Sequence, residues 1–232
     1  TDAVEEGARA GYRVDVCVPS GNFGNIYAGF LARSMGVPIR RLILATNENN
    51  VLEEFFTTGI YRPRSAADTL ATSSPSMDIS KASNLERFIW ALLGPEAFAQ
   101  RWSELESTGT LDLRDQLPRL GEDFGFVAGT SSHADRLEAI RSVKERSGRL
   151  IDPHTADGVT VALRTMEPGF PTLVMETAKA AKFPQTVAEA LGTEPETPAV
   201  IADLLAQPQK VETIDNEEAP LRHLIEERAL TS

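Results

Sequence analysis

Pro19-Ser20-Gly21-Asn22-Phe23-Gly24-Asn25 is the stretch of sequence that decides the fold. It follows an apolar run at 14–18 and precedes a helical pattern at 24–35. A strand, a glycine-containing turn and a helix in this order leave backbone N–H groups free at the helix N-terminus, where the helix dipole favours an anion. The glycines allow a tight turn and a close approach to that anion. The stretch therefore predicts a phosphate site, although a plain strand-to-helix connection explains it equally well.

The residues after this stretch complete a βαβ unit. Gly36-Val37-Pro38 ends the helix, because proline cannot continue it, and residues 40–45 form a second apolar strand. Such a unit predicts a parallel sheet with a right-handed crossover, in which ligands bind beyond the carboxyl ends of the strands. The loop at 46–50 leaves that same edge. Asn47 and Asn49 are therefore candidates for hydrogen bonds to a ligand, with plain turn residues as the alternative.

The middle of the chain predicts a helical insertion between the second and third strands. Helical patterns lie at 50–58, 85–93, 96–106 and 111–117, a polar loop that can move lies at 62–76, and a third strand lies at 124–128. We expect Gly59 to close the first of these helices. Ser132 then caps a helix at 134–146, and Asp135 completes a capping box.

The last third of the chain predicts further α/β structure. Asp152 is a natural N-cap and Pro153 a natural first residue for an amphipathic helix at 155–166. We expect Asp152 to stand where a strand gives way to that helix. The remaining elements are a buried strand at 171–175, a helix at 183–191, a link at 192–198, a closing strand at 211–214 and a terminal helix at 221–230. Residues 2–10 look like the tail of a helix, and because the chain begins with Thr1 we expect a piece of a longer protein.

Composition excludes several classes of function. The 232 residues are 41% hydrophobic and 25% charged, which is typical of a soluble globular protein. The net charge of −11 argues against nucleic acid or an anionic membrane as a partner, and no apolar run reaches the length of about 20 residues that spans a bilayer. The three histidines lack zinc-ligand spacing, so we expect no metal site. A single cysteine, Cys17, fits a reducing, cytoplasmic compartment and a role in packing.

Several motifs, in order along the chain, resemble those of threonine synthases, which are pyridoxal-phosphate (PLP) enzymes. The resemblance covers about three quarters of the chain, and we recognise no motif in its last part. In one motif Lys179 and Ala180 replace the usual His-Pro, which puts any role of that histidine in doubt. The motifs are Ser20-Gly21-Asn22-Phe23-Gly24-Asn25, Ala45-Thr46-Asn47-Glu48-Asn49-Asn50, Ser76-Met77-Asp78-Ile79-Ser80, Ser83-Asn84-Leu85-Glu86-Arg87, Asp152-Pro153-His154-Thr155-Ala156 and Glu176-Thr177-Ala178-Lys179-Ala180-Ala181-Lys182-Phe183.

The resemblance implies a fold and a division of the chain. The fold is α/β, a mainly parallel sheet covered by helices, of the tryptophan-synthase-β type (PLP fold type II). Residues 1–50 would form the βαβ part that binds the cofactor phosphate, 51–122 the helical insertion, 123–192 the remainder of the PLP domain and 193–232 a C-terminal extension.

The resemblance also implies roles for individual residues. Gly21, Asn22, Phe23, Gly24 and Asn25 would clamp the phosphate of PLP. The hydroxyl of Thr177 would meet the pyridine nitrogen, with a helix cap as its structural alternative. Asn47, His154 and Lys182 are candidates for contact with the substrate.

The Schiff-base lysine is missing from this picture. None of the lysines here lies in the Phe-Lys-Asp setting of the family, so we expect that residue outside the chain, in a missing N-terminal part. The chain alone would then be inactive and prone to self-association. The parent enzyme would convert O-phospho-L-homoserine and water to L-threonine and phosphate. Alternatives are a threonine or serine dehydratase of the same fold and a non-catalytic phosphate-binding relative.

Overall fold

The computed structural model describes residues 11–229. The chain forms two compact units, one up to Pro195 and the other from Glu196 onward. The helix tail predicted at 2–10 lies outside the described residues.

The first unit is built on a parallel sheet of four strands in the order β5-β2-β1-β6. Cys17 of β1 pairs with Ile43 of β2 on one side and with Val174 of β6 on the other. A separate antiparallel pair is formed by β3 and β4. The strands are β1 (Val14–Pro19), β2 (Ile39–Thr46), β3 (Ile60–Tyr61), β4 (Leu111–Asp112), β5 (Phe126–Thr130) and β6 (Thr172–Val174).

Helices cover both faces of this sheet. Those of the first unit are α1 (Gly24–Ser34), α2 (Val51–Thr58), α3 (Leu85–Leu93), α4 (Pro95–Thr108), α5 (Leu117–Glu122), α6 (His133–Ser147), α7 (Pro153–Thr165) and α8 (Pro184–Leu191). The second unit contains α9 (Ala199–Leu205) and α10 (Glu218–Arg228), whose side chains are almost all exposed.

The predicted helix ends follow from local chemistry. The capping box of Ser132 and Asp135 is present at the start of α6, and the carboxylate of Asp152 accepts a hydrogen bond from the His154 N–H at the start of α7. Gly59 closes α2 with a φ of 76°, which glycine adopts without strain. The turn chemistry in the sequence therefore predicted these boundaries correctly.

Two apolar clusters hold the sheet between its helices. Alternate residues of a strand point to opposite faces, so Leu42 and Leu44 of β2 enter one cluster while Ile43 enters the other. The larger cluster contains most of the phenylalanines and packs under helices from residues 51–122. Cys17 lies fully buried in the smaller cluster, where burial raises the pKa of its thiol to about 12. Its predicted role in packing is confirmed.

Four predictions of local structure were wrong. The strand near residue 173 is a short edge strand with Leu173 53% exposed, because only β1 pairs with it within the described residues. The stretch 111–117 is not a helix, since Leu111 and Asp112 pair with β3 and α5 begins only at Leu117. Residues 211–214 form no strand, because they lie in the second unit, where no described strand can pair with them. Asp152 follows the loop after α6 rather than a strand.

No helix among residues 11–229 is long and apolar enough to cross a bilayer. Within the same range, His, Cys, Asp and Glu side chains form no group that could hold a metal ion.

Candidate functional site

A cleft of about 230 Å³ opens where β1 ends and α1 begins. This is the carboxyl edge of the parallel sheet, where ligands of such sheets bind. Its lining brings together six of the predicted site residues, Gly21, Asn22, Gly24, Asn25, His154 and Thr177. The other lining residues are Pro19, Ser20, Ser76, Met77 and Ala178.

The turn at the floor of the cleft presents unpartnered backbone donors. Phe23 caps α1 from the left-handed region, with a φ of 65°, and its side chain provides no capping hydrogen bond. Within the described residues, no N–H group from Gly21 to Asn25 donates a hydrogen bond. Ser20 N–H bonds to the carbonyl of Ala45 at 2.9 Å, which ties the turn to the end of β2. The turn is thus a fixed set of donors suited to an anion.

Phe23, the fifth predicted residue of the phosphate clamp, does not line the cleft, and its side chain points into the core. Its ring is fully buried and stacks on Phe56 with the ring centroids 5.6 Å apart. The rings of Phe88 and Phe126 lie 5.8 Å away. The core therefore fixes the residue whose unusual φ begins the helix.

The glycines in the turn allow close packing against residues 76–84. A Cβ atom on Gly21 would lie 3.0 Å from the Cα of Met77 and 3.2 Å from Ile79 Cδ1. A Cβ on Gly24 would lie 3.3 Å from Asn84 Nδ2, which donates to the Asn22 carbonyl at 3.0 Å. Any side chain at Gly21 would push residues 76–84 away from the turn.

Asn47 lies behind the cleft rather than in its lining. It is fully buried, and its Nδ2 donates to Thr72 Oγ1 and Asp78 Oδ1, each at 2.9 Å. Asn49 donates to the same Asp78 oxygen at 3.0 Å. Both asparagines thus connect the end of β2 to residues 72–78, hereafter the wall segment. The sequence analysis placed residues up to 76 in a loop that can move and residues 77 and 78 in a motif of the family.

His154 lines the cleft with both ring nitrogens engaged. Nε2 accepts a hydrogen bond from the Ser76 N–H at 3.0 Å, so the ring proton lies on Nδ1 and is donated to Asp152 Oδ1 at 2.8 Å. Burial alone would raise the pKa of Asp152, but hydrogen bonds from His154 and Thr155 outweigh it and hold that pKa below its usual value. The ring of Phe183 meets the His154 ring edge-on at 4.7 Å.

Thr177 lies at the exposed rim of the cleft. Its backbone N–H donates to Thr155 Oγ1 at 3.2 Å, and Thr155 in turn donates to Asp152. The helical turn that follows is preceded by Lys179, so Thr177 does not act as its cap.

Lys182 lies in a second cleft, of about 500 Å³. Its side chain is exposed, and Thr72, Ser73 and Pro75 of the wall segment line the same space. The structure therefore does not place Lys182 in the first cleft, and the wall segment contributes residues to both.

The sequence analysis missed a buried arginine behind the wall segment. Arg136 on α6 is fully buried and pairs with both carboxylate oxygens of Glu48 at 2.9 Å. It also donates to Asp157 Oδ1 at 3.0 Å and to Ser73 Oγ at 2.8 Å. Glu48 follows the strand-end asparagine in sequence, but nothing in the pattern of α6 marked Arg136 as buried.

Comparisons with known proteins agree with the motifs. A family model described as "Threonine synthase, C-terminal" matches residues 155–225. Threonine synthase from Methylobacillus glycogenes is 50% identical over 219 residues, which cover 93% of this chain and 46% of that protein. Threonine synthase from Corynebacterium glutamicum is 49% identical over 228 residues, covering 95% and 47%.

Solved structures agree with the fold. PLP-bound threonine synthase from Brucella melitensis superimposes with a TM-score of 0.89 at 34% identity, over 99% of this chain and 49% of that one. Threonine synthase from yeast gives a TM-score of 0.83 at 30% identity, over 93% and 47%. The predicted α/β fold is thereby confirmed, and the relatives do not favour the dehydratase alternative. The chain spans about half the length of these relatives and belongs to the threonine synthase family.

Proposed function

We propose that this chain provides the phosphate-binding half of a PLP-dependent threonine synthase. The whole protein would convert O-phospho-L-homoserine and water to L-threonine and phosphate, the last step of threonine biosynthesis. PLP, when bound, supplies the electron sink that such a replacement at the substrate's β and γ carbons requires. The cytoplasmic location, the self-association and the division of the chain at residues 50, 122 and 192 stay predictions.

The observation that carries the proposal is the array of unpartnered N–H groups from Gly21 to Asn25. The residues that line the cleft include no Lys or Arg. A phosphate monoester there would be held by backbone donors and by the positive end of the α1 dipole, with help from the Ser20 and Asn22 side chains. The donor set fits such a group. Because Gly21 has no Cβ, Met77 can pack close to the turn.

The rim residues would set the orientation of a bound pyridine ring. We assign the Thr177 hydroxyl to the ring nitrogen, as the resemblance implies. A neutral hydroxyl leaves that nitrogen less positive than a carboxylate partner would. His154 holds its Nδ1 proton on Asp152 and would thus present a fixed ring face toward the substrate.

Lys182 and Asn47 are the remaining candidates for contact with the substrate. Lys182 would attract the phosphate of the substrate from the neighbouring cleft. Asn47 stays a predicted substrate contact, and its amide is engaged by the wall segment. No lysine lines the first cleft, so the Schiff-base lysine would come from another part of the parent protein.

Titration with PLP tests the proposal. The chain should bind PLP without a covalent bond, observed as a shift in the ³¹P resonance of the cofactor. Gly21→Ala should weaken binding about tenfold or more, because its Cβ would press on the Met77 backbone. Gly121→Ala is the matched control, since its Cβ would meet nothing closer than 3.9 Å.

Borohydride reduction followed by intact-mass measurement checks the assignment of the lysine. No stable adduct should form on this chain alone, and capture should appear on the other part when the rest of the protein is supplied. A single adduct at one lysine of this chain would contradict the assignment. Failure of the wild-type chain to bind PLP would contradict the phosphate site itself.

A further inference from the structure

We propose that Asp78 is a positioning residue whose carboxylate holds the wall segment (residues 72–78) against the end of β2 and thereby sets the width of the cleft. The inference rests on the proposed function, because the cleft is taken to bind the phosphate of PLP. Asp78 itself does not line the cleft.

Four hydrogen bonds converge on this carboxylate. Oδ1 accepts from Asn47 Nδ2 at 2.9 Å, Asn49 Nδ2 at 3.0 Å and Thr72 Oγ1 at 2.6 Å. Oδ2 accepts from the backbone N–H of Thr72 at 2.8 Å. All four partners are neutral donors, so the site needs an acceptor on both oxygens.

The donors on the sheet side are themselves fixed. Asn47 is fully buried and Asn49 is 3% exposed, and both lie within three residues of the end of β2. Asn49 N–H donates to Asn47 Oδ1 at 2.9 Å, and Asn49 also exchanges two hydrogen bonds with the Leu70 backbone. The position of Asp78 is thus set by the end of a central strand.

The residues next to Asp78 form one side of the cleft. Met77 is buried, with its Cα 3.0 Å from where a Gly21 Cβ would be. The Ser76 N–H donates to His154 Nε2. A small outward movement of the wall segment would separate Met77 from the turn and Ser76 from His154 together.

The far end of the wall segment has its own anchor. Arg136 Nε donates to Ser73 Oγ at 2.8 Å, and His133 Nδ1 lies at 2.8 Å from the same oxygen. The loss of the Asp78 contacts should therefore let the Met77 end move while the Ser73 end stays in place. A change in cleft width can therefore be distinguished from a general loss of structure in the loop.

Asp78→Asn is the informative substitution because it keeps the volume of the side chain. In either orientation of the amide, its NH₂ group would face at least one donor that the carboxylate now satisfies. Asp68→Asn is the matched control, since Asp68 lies in the same loop, is exposed and, among residues 11–229, accepts a side-chain hydrogen bond only from Ser65 Oγ, at 2.6 Å.

The measurements are the PLP dissociation constant and the ³¹P shift of bound PLP at saturation. Asp78→Asn should weaken PLP about tenfold and move the ³¹P shift, whereas Asp68→Asn should change neither. A residue needed only for folding would not move the ³¹P shift of PLP at saturation.

Each outcome decides a separate point. If the wild-type chain binds no PLP, the proposed function fails and this inference fails with it. If the wild-type chain binds PLP and Asp78→Asn binds it equally well with the same shift, only the inference is overturned. If Asp78→Asn does not fold, Thr72→Val removes the hydroxyl that donates to Asp78 and accepts from Asn47 and the Ser74 N–H. It should weaken PLP about threefold, and an unchanged affinity would overturn the inference.

Discussion

Two aspartates of this chain are both shielded from solvent, yet the pKa values of their carboxyls shift in opposite directions. Asp15 on β1 and Asp157 on α7 are both 0% exposed. Asp15 accepts four hydrogen bonds from the guanidinium groups of Arg40 and Arg41, at 2.6–3.0 Å. Asp157 accepts one from Arg136 at 3.0 Å, and its Oδ2 has no hydrogen-bond partner among the described residues.

The balance between desolvation and the attraction of nearby donors decides the direction in which each pKa shifts. Burial by itself raises the pKa of both carboxyls. At Asp15 the hydrogen bonds from Arg40 and Arg41 outweigh burial and lower the pKa below its usual value. At Asp157 desolvation by burial outweighs the attraction of Arg136 and raises the pKa to about 6.

The two groups also lie at different places relative to the cleft. Asp15 lies near the start of β1, at the other end of that strand from the cleft. The arginine that holds Asp157 also holds Ser73 of the wall segment. Asp15, at the far end of the sheet, therefore has cationic donors on both of its oxygens. Asp157, behind the cleft, has one on a single oxygen.

The largest effect should come from removing the shared cation. Arg136→Met leaves Glu48 and Asp157 without their partner and should lower the free energy of unfolding by about 3–5 kcal/mol. Urea denaturation measures it. The control is Arg146→Met, an exposed arginine on the same helix, which should change little. A loss of under about 1 kcal/mol for Arg136→Met would show that the buried cluster is not stabilised by its cation.

Asp15→Asn should have the next largest effect. It removes the charge that Arg40 and Arg41 share and should cost about 2 kcal/mol at neutral pH, since these arginines are partly exposed. The folded pKa of Asp15 is lowered, so its contribution is complete above the unfolded pKa, about 4, and is lost as pH falls through the folded value. The wild-type and variant free energies of unfolding should converge in acid. If the wild-type and variant free energies of unfolding ran parallel from neutral to acid pH, the lowered pKa of Asp15 would be contradicted.

Asp157→Asn should have a smaller effect on the free energy of unfolding, with a pH dependence opposite to that of Asp15→Asn. The folded pKa is raised to about 6, so folded wild-type protein keeps a proton that the unfolded chain releases. Relative to the variant, the wild type should lose about 1–2 kcal/mol of stability as pH rises from about 4 to about 6. Thermal unfolding followed over this range measures the difference, and a constant difference would rule out titration of Asp157.

The smallest effect should come from an ion pair of similar length at the surface. Arg114 lies 2.6 Å from Asp112, and its hydrogen bonds lower the pKa of Asp112 to about 2. Both side chains are exposed, so solvent screens the pair. Asp112→Asn should leave the urea midpoint unchanged. A clear shift would mean that contact distance, rather than burial, decides the energy of these pairs.

Local chemistry in the sequence predicted the parts of the fold that depend on neighbouring residues. The cap at Ser132, the cap at Asp152 and the glycine end at Gly59 all follow from residues within one turn of each other. The βαβ unit follows from consecutive short segments of residues 14–46, and the turn at residues 21–25 was found as the link between two of them. The motif resemblance then joined it to His154 and Thr177, which line the same cleft.

The errors and omissions depend on contacts distant in sequence. The partners Arg136 and Glu48 are 88 residues apart, so no periodic pattern could pair them. Leu111 looked helical until its pairing with Tyr61 of β3 was known. The exposure of Leu173 depends on which strands lie beside β6, and the local apolar run does not reveal that.

The left-handed backbone of Phe23 couples the turn at residues 21–25 to the aromatic core, so we expect the turn and the core to unfold together. Because its ring is locked among Phe56, Phe88 and Phe126, the turn cannot rearrange without disturbing the core. A ligand that binds the turn should then raise the melting temperature of the folded unit as a whole, by an amount that grows with the logarithm of the ligand concentration divided by its dissociation constant. We therefore expect substitutions of these core phenylalanines to change the affinity of such a ligand, although none of the three lines the cleft.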